Sequence, residues 1–208
     1  MIMTLVFATN NKHKLEEVRN ILPSAYALLS LQDIGFTEEI DETGKTLEEN
    51  SLLKARVVWD YIQTHSIGVV IDGVFADDTV LEITSLNRQP GVRTARWAGD
   101  EHNDAANRQK ALRLLQQKTD RSACFRTVVT LILSKDNVGE ELQPVCAQVE
   151  GRVDGCMAEE ERGEGGFGYD SIFIPKGYKE TFAQLSSDTK NAISHRARAI
   201  EKLRLLLL

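Results

Sequence analysis

The chain opens on a change of period. Residues 4–8 are a short apolar run, Thr9, Asn10 and Asn11 interrupt it, and over 12–22 the apolar residues Leu15, Val18, Ile21 and Leu22 recur at helical spacing until Pro23 stops them. A buried strand, a polar loop and an amphipathic helix in that order call for a layered α/β arrangement. Each element must bury its apolar side against another.

The remainder continues the mixture. Residues 26–31 read as a second strand. Thr46, Leu47, Glu48 and Glu49 fit a capping box, in which the Thr46 hydroxyl accepts from the Glu49 amide while Glu49 reaches back, so a long helix is expected to about residue 63. The continuous β-branched run 67–71 reads as a fully buried strand, closed by a turn at Asp72 and Gly73, and 80–83 as another short strand. A helix is expected over 103–117, with Ala106, Ala111, Leu112, Leu114 and Leu115 on its apolar side. Residues 123–133 and 144–153 read as long strands joined through the charged, turn-like segment 135–143, hence a hairpin. An acidic, glycine-rich loop over 159–168 precedes a strand at 172–174 ended by Pro175, and one closing helix over 187–207 carries His195, Arg196 and Arg198. The expected class is α/β: a mixed β-sheet flanked by helices, one domain over 1–208. The middle section would form a second lobe, with the ligand site in the cleft.

Composition narrows the function. The 208 residues suffice for a sizeable core, and 42% apolar with 27% charged residues is an ordinary globular balance. A net charge of −6 argues against a nucleic-acid partner, which requires a basic field, while leaving room for a small anion held by a few local cations. Cys124, Cys146 and Cys156 are widely spaced, odd in number and without metal-ligand spacing; reduced thiols in a cytoplasmic protein are expected. The N-terminus carries no basic segment ahead of its apolar run, so no secretory signal is expected. The four leucines 205–208 fall far short of the ~20 residues of a membrane span.

Five constellations can carry chemistry. Thr9, Asn10, Asn11, Lys12, His13 and Lys14 lie between a strand and a helix start, where free amides, the helix dipole and two lysines favour a phosphate; no glycine is present, so this is not a Walker A loop. Asp77 and Asp78 follow the expected strand at 67–71. Consecutive strand residues face opposite ways, so one carboxylate could ligate Mg²⁺ or activate water while the other orients a neighbour. The acidic run Glu38, Glu39, Asp41 and Glu42 offers hard oxygens to the same metal. Gly165, Gly166, Phe167, Gly168, Tyr169 and Asp170 combine a permissive backbone with two aromatics able to stack on a base and an aspartate able to bond it. Lys190, Ser194, His195 and Arg196 would share one face of the closing helix, where a lysine can hold phosphate and the His–Arg pair can donate to a base carbonyl.

The order and wording of these pieces matter more than any one of them. FATNNKHKLEEVRNIL (7–22), ETGKTLEENSLLKAR (42–56), ADDTVLEI (76–83), PGVRTARWAG (90–99), GEGGFGYDSIF (163–173) and TKNAISHRARAIEKL (189–203) run almost end to end. In them the chain resembles the inosine triphosphate pyrophosphatase family. The resemblance implies an elongated two-lobed α/β fold and a homodimer. It also implies Mg²⁺-dependent cleavage of ITP, dITP and XTP at the α–β bond to the monophosphate and pyrophosphate. By motif, Thr9 to Lys14 would hold the triphosphate, and Glu42 and Asp78 would bind Mg²⁺, with Asp78 also the proton acceptor. Thr79 would contact substrate, Phe167, Gly168, Tyr169 and Asp170 would pack on and bond the nucleoside, Lys190 would bind substrate, and His195 and Arg196 would read the 6-keto purine. Val80 stands where the family usually has glycine after its Asp-Asp-Ser/Thr, Asn87-Arg88-Gln89 where Asn-Gly-Ala is usual, Arg93 for a common tyrosine, and Ser171 where proline often follows. A pyrimidine triphosphate pyrophosphatase and a nucleotide binder without turnover are the competing readings.

Overall fold

The computed structural model describes residues 2–99, 102–134 and 145–207. The expected turn at 135–143, Pro144 and Leu208 lie outside them. Along the chain run β1 (Met3–Phe7), α1 (Lys12–Ile21), β2 (Tyr26–Leu29), α2 (Leu47–Thr64), β3 (Gly73–Ile83), β4 (Gln89–Gly91), α3 (Asp104–Leu115), β5 (Ser122–Leu133), β6 (Val145–Met157), β7 (Phe173–Pro175), α4 (Ser187–Ile193) and α5 (His195–Leu206). Among the described residues seven strands form one sheet, in the order β2-β1-β3-β5-β6-β7 with β4 paired to β3. The sheet is mixed: β1 is parallel to β2 and to β3, whereas β3–β4 and β6–β7 are antiparallel. The α/β class expected from the sequence is the class observed.

The chain divides into two compact units: residues 1–78, 128–150 and 199–208 form the first, and 79–127 with 151–198 the second. In the first unit the two-residue period of β1 and β3 sorts side chains onto two faces. Val6, Ala8, Val74 and Ala76 pack with Ala55 and Val58 of α2, while Leu5, Phe7 and Phe75 pack with Val18 of α1 and Ala199, Ile200 and Leu203 of α5. Phe7 and Phe75 stack at 4.7 Å between ring centroids. The second unit has its own core, in which Leu81, Ile83, Trp97, Ala111, Leu115, Phe125, Phe173 and Phe182 meet.

Local signals set the helix starts. Asn11 caps α1 by accepting from the Lys14 amide at 3.1 Å, and Thr46 caps α2 by accepting from Glu49 at 3.1 Å. The Glu49 carboxylate reaches back to the Lys45 amide at 2.6 Å, one residue further than a capping box requires.

Two sequence expectations are corrected. Residues 67–71 are not a strand: Val69 and Val70 are 57% and 81% exposed, and Gly68 has a φ of +76°. An apolar run becomes a strand only where a neighbour pairs with it. Pairing with β1 begins at Gly73, opposite Leu5, where a Cβ would lie 2.7 Å from Leu133 and 2.9 Å from the Ile132 carbonyl. The short strand at 80–83 is therefore the end of β3, and Asp77 and Asp78 lie inside that strand rather than beyond one. The closing helix is also broken. Ser194 is extended (φ −65°, ψ 160°), ending α4 and capping α5 with its hydroxyl, which accepts from the Ala197 amide at 3.1 Å. Lys190 and Arg196 thus belong to different helices.

Candidate active site

In the first unit, the face-sorting of β3 decides where its two aspartates go. Asp77 shares the parity of Phe75 and meets α1: its Oδ1 lies 2.9 Å from Lys14 Nζ. Asp78 shares the parity of Ala76 and meets α2: Lys54 Nζ donates to its Oδ1 at 3.3 Å and Asn50 Nδ2 to its Oδ2 at 3.3 Å. Lys54 also donates to Glu42 Oε1 at 2.7 Å, so one ammonium gathers Glu42 and Asp78. The segment carrying Glu42 is tied to α2 by the Gly44 amide, which donates to Asn50 Oδ1 at 2.8 Å; a Cβ on Gly44 would sit 2.5 Å from that oxygen. The backbone of Ala76 is pinned by the Ser51 hydroxyl at 3.0 Å.

Charge balance follows from this packing. Burial raises the Asp78 carboxyl above its ordinary value; Lys54 and Lys14 oppose the rise, and Glu42 and Asp77 add to it. For Lys54 burial works against the charge, yet Asp78, Glu42 and Asp77 together hold the ammonium above its ordinary value. The site thus contains a protonated lysine beside a carboxylate of raised basicity. Upstream, Thr9 is half-buried and Asn10, Asn11, Lys12 and His13 are exposed at the start of α1. The Thr9 hydroxyl accepts from the Asn11 amide at 3.2 Å. Lys14 of this loop is drawn to Asp77.

In the second unit, the glycine-rich loop folds over a buried ion pair. Asp170 Oδ2 accepts from Lys190 Nζ at 2.6 Å and from the Phe167 amide at 2.8 Å. Gly166, at φ +74°, has no room for a side chain: a Cβ would lie 2.2 Å from that oxygen. Lys190 stands 4.9 Å above the Phe167 ring and Arg196 5.7 Å from it, so the aromatic is framed by two cations. Arg196, 2% exposed, reaches Thr79 Oγ1 at 3.4 Å, and that hydroxyl meets Thr127 Oγ1 at 2.7 Å. His195 stacks on Phe125 at 4.6 Å. Tyr169 is turned into the core, its hydroxyl donating to the Thr94 carbonyl at 2.9 Å, and burial raises its pKa far beyond the ordinary phenol.

The structure therefore groups Lys14, Glu42, Asp77 and Asp78 in the first unit, and Thr79, Phe167, Asp170, Lys190, His195 and Arg196 in the second. Asp78 and Thr79 are peptide neighbours on β3. Glu38, Glu39 and Asp41 are exposed and Glu42 alone of that run joins a cluster. Val80 is a buried strand residue outside the left-handed region, so replacing glycine there strains nothing; among the described residues the non-glycine ones in that region are Asn87 and Arg88, at φ 53° and 62°.

Lys54 and Asn50 were missed by sequence reasoning, and a signal existed. They fall on the buried stripe of α2 with Leu47, Ser51, Ala55 and Val58, and a lysine on an apolar stripe needs a buried partner. Asp104 and Arg108 were missed as well: they reach Gly168, at 2.8 Å to its amide and 2.9 Å to its carbonyl, and no local pattern announces a contact sixty residues away.

The model of the Ham1 family matches residues 5–205. The chain is 46% identical over 205 residues to the dITP/XTP pyrophosphatase of Porphyromonas gingivalis, covering 98% of this chain and 97% of that one. To the dITP/XTP pyrophosphatase of Bacillus subtilis it is 45% identical, with 97% and 96% covered. Among solved structures, the Ham1 protein of Staphylococcus aureus superposes with a TM-score of 0.79 at 35% identity, covering 98% of this chain and 97% of that chain. A nucleoside-triphosphatase / dITP/XTP pyrophosphatase from Mycobacterium abscessus superposes at 0.70 with 37% identity, covering 97% and 98%.

Proposed function

This chain belongs to the Ham1 family, and from that premise we propose that it hydrolyses non-standard purine nucleoside triphosphates, namely ITP, dITP and XTP, at the α–β phosphoanhydride. The products are the nucleoside monophosphate and pyrophosphate. The observation that carries the reading is the buried Asp78 carboxylate, raised in basicity and flanked by Lys54 and Glu42. Anhydride hydrolysis needs positive charge on the phosphate oxygens and a base for water.

The geometry supports the following roles. Thr9, Asn10, Asn11, Lys12, His13 and Lys14 hold the phosphates at the start of α1, with Lys14 aimed by Asp77. The oxygen of water bonds to phosphorus, the bond from that phosphorus to the bridging oxygen breaks, and the proton of water passes to Asp78. Lys54 keeps Asp78 ionised until then. Glu42 and Asp78 fit Mg²⁺, being hard-oxygen ligands that already converge on one ammonium, at 2.7 and 3.3 Å. Among the described residues no group of three or more His, Cys, Asp or Glu forms a ready-made metal cage, and Mg²⁺ needs only one or two carboxylates when phosphates complete its shell. When bound, it supplies further neutralisation of the phosphate oxygens.

For the nucleoside, the Phe167 ring gives a face to stack on, with Gly168, Tyr169 and Asp170 shaping the loop around it, and Thr79 adds a hydroxyl. Lys190 contributes positive charge beside that ring. Arg196 and His195 donate to O6 of hypoxanthine or xanthine. Adenine presents an amino donor there instead and leaves buried donors unsatisfied, which disfavours ATP. The family resemblance supports a homodimer. Three cysteines without a disulfide support a cytoplasmic location, and among the described residues no helix is long and apolar enough to cross a membrane.

A nucleotide panel with separate detection of pyrophosphate and phosphate tests the proposal. Pyrophosphate released from ITP, dITP and XTP well ahead of ATP is the expected result. Faster release from dTTP or UTP, or orthophosphate as the product, would overturn it.

A further inference from the structure

Gly168 is held at both of its peptide polar groups by one helix. Asp104 Oδ2 accepts from its amide at 2.8 Å and Arg108 donates to its carbonyl at 2.9 Å. Asp104 and Arg108 are four residues apart on α3, so they project from one face and act as the two jaws of a clamp. Gly168 has a φ of +61°, and apart from its chain neighbours nothing lies within 4 Å of where a Cβ would be, so packing against a side chain there does not confine it and the two bonds are its tie to α3. The clamp is itself braced. Glu161 Oε2 accepts from Arg108 Nε at 2.7 Å and from the Ser171 hydroxyl at 3.1 Å.

The residue on the other side of the clamped peptide is Phe167. Its amide is taken by Asp170, and its ring is framed by Lys190 and Arg196. Two successive residues of the loop are thus fixed from opposite sides, Phe167 by Asp170 and Gly168 by α3. We propose that Asp104 and Arg108 are positioning residues for base recognition, clamping Gly168 so that the Phe167 ring keeps its place between the two cations, with Glu161 and Ser171 bracing Arg108. The inference rests on the functional reading above. None of the four residues touches the reacting phosphates in that reading; they act through Phe167. Loosening the clamp weakens the hold on the nucleoside while leaving the phosphate chemistry in place.

The test uses Arg108→Met, which keeps the apolar stem and removes the donors, and Asp104→Ala as an independent second variant. In each, KM for ITP rises about tenfold, as loss of a charge-assisted hydrogen bond implies, kcat changes less than about twofold, and the ITP-to-ATP ratio of kcat/KM falls. The double variant is little worse than either single one, because both jaws serve one residue. Arg108→Lys recovers part of the KM, since its ammonium reaches the carbonyl without the fork that engages Glu161. Ser171→Ala shifts KM in the same direction by a smaller factor. Folded variants, checked by thermal melting, that keep wild-type KM and the wild-type ITP-to-ATP ratio would overturn the clamp. So would a fall in kcat at constant KM. If the wild-type protein releases pyrophosphate from no purine triphosphate, the functional reading has failed instead. The clamp is then judged by inosine monophosphate binding in calorimetry, which Arg108→Met must weaken.

Discussion

Asp77 and Asp78 are neighbours on β3 that hold lysines from different helices: Asp77 lies 2.9 Å from Lys14 of α1, and Asp78 3.3 Å from Lys54 of α2. The two-residue period of a strand is the whole cause. It also separates two jobs, since the Asp77 side carries the lysine nearest the phosphate loop and the Asp78 side carries Glu42 and the buried lysine.

Substitution at the two positions should therefore look different. Asp78→Asn removes the base and lowers kcat for ITP by about 10³ with KM within about threefold. Asp77→Asn leaves Lys14 unaimed and raises KM more than it lowers kcat. Steady-state kinetics on both variants distinguish the assignments. Wild-type-like turnover in Asp78→Asn rules that residue out as the base.

The raised Asp78 pKa makes a prediction for the metal-free protein. The folded state binds this proton more tightly than the unfolded chain does, so wild-type stability gains as pH falls through the raised value, and the ionised carboxylate opposes folding above it. Asp78→Asn should then raise the urea midpoint at pH 7 with chelator present, and the advantage should shrink toward pH 4. Lys54 has a dependence of the same sign, displaced to much higher pH. Its stabilising attraction is complete below the ordinary lysine value and is lost only as pH rises through its raised one. A midpoint that drops in Asp78→Asn at neutral pH would mean that the carboxylate's bonds to Lys54 and Asn50 outweigh its burial.

Arg196→Ala removes a donor proposed for O6, and the preference for ITP over ATP should narrow about tenfold in kcat/KM. The side chain is also among the largest fully buried ones, so a stability loss of about 2–4 kcal/mol accompanies it, and the kinetics belong well below the melting transition. An unchanged ratio would move base discrimination to His195 or to the loop amides.

Arg88 occupies the left-handed region at φ 62° with its side chain 73% exposed, and its guanidinium is 3.7 Å from Glu82. Arg88→Gly should stabilise the fold, by less than about 1 kcal/mol, because relief of the backbone is partly offset by the freer unfolded chain. Urea denaturation measures it. A net loss would show that the contact with Glu82 contributes more than the backbone costs.

How much of this was legible depended on distance along the chain. The caps at Asn11 and Thr46 are contacts over three residues, and both could be read directly. The run at 67–71 could not, since five apolar residues do not reveal whether a neighbouring strand awaits them, and Val69 and Val70 found none. Asp77 and Asp78 were placed beyond a strand rather than inside one for the converse reason. A strand interior accepts two carboxylates only when cations arrive from 63 and 24 residues away, and nothing local foretells that. The break at Ser194 had a visible sign, a serine followed by a histidine-arginine start, but the apolar pattern running through it was allowed to override the serine's preference for helix ends.

That break makes selectivity a modular property. Because α4 stops and α5 starts afresh on the Ser194 hydroxyl, Arg196 takes its direction from the first turn of a new helix, while Lys190 stays moored to Asp170 on the old one. An engineer seeking a different purine preference can re-aim the first turn of α5 by library design at 195 and 196, and leave the buried ion pair under the glycine-rich loop as a constant.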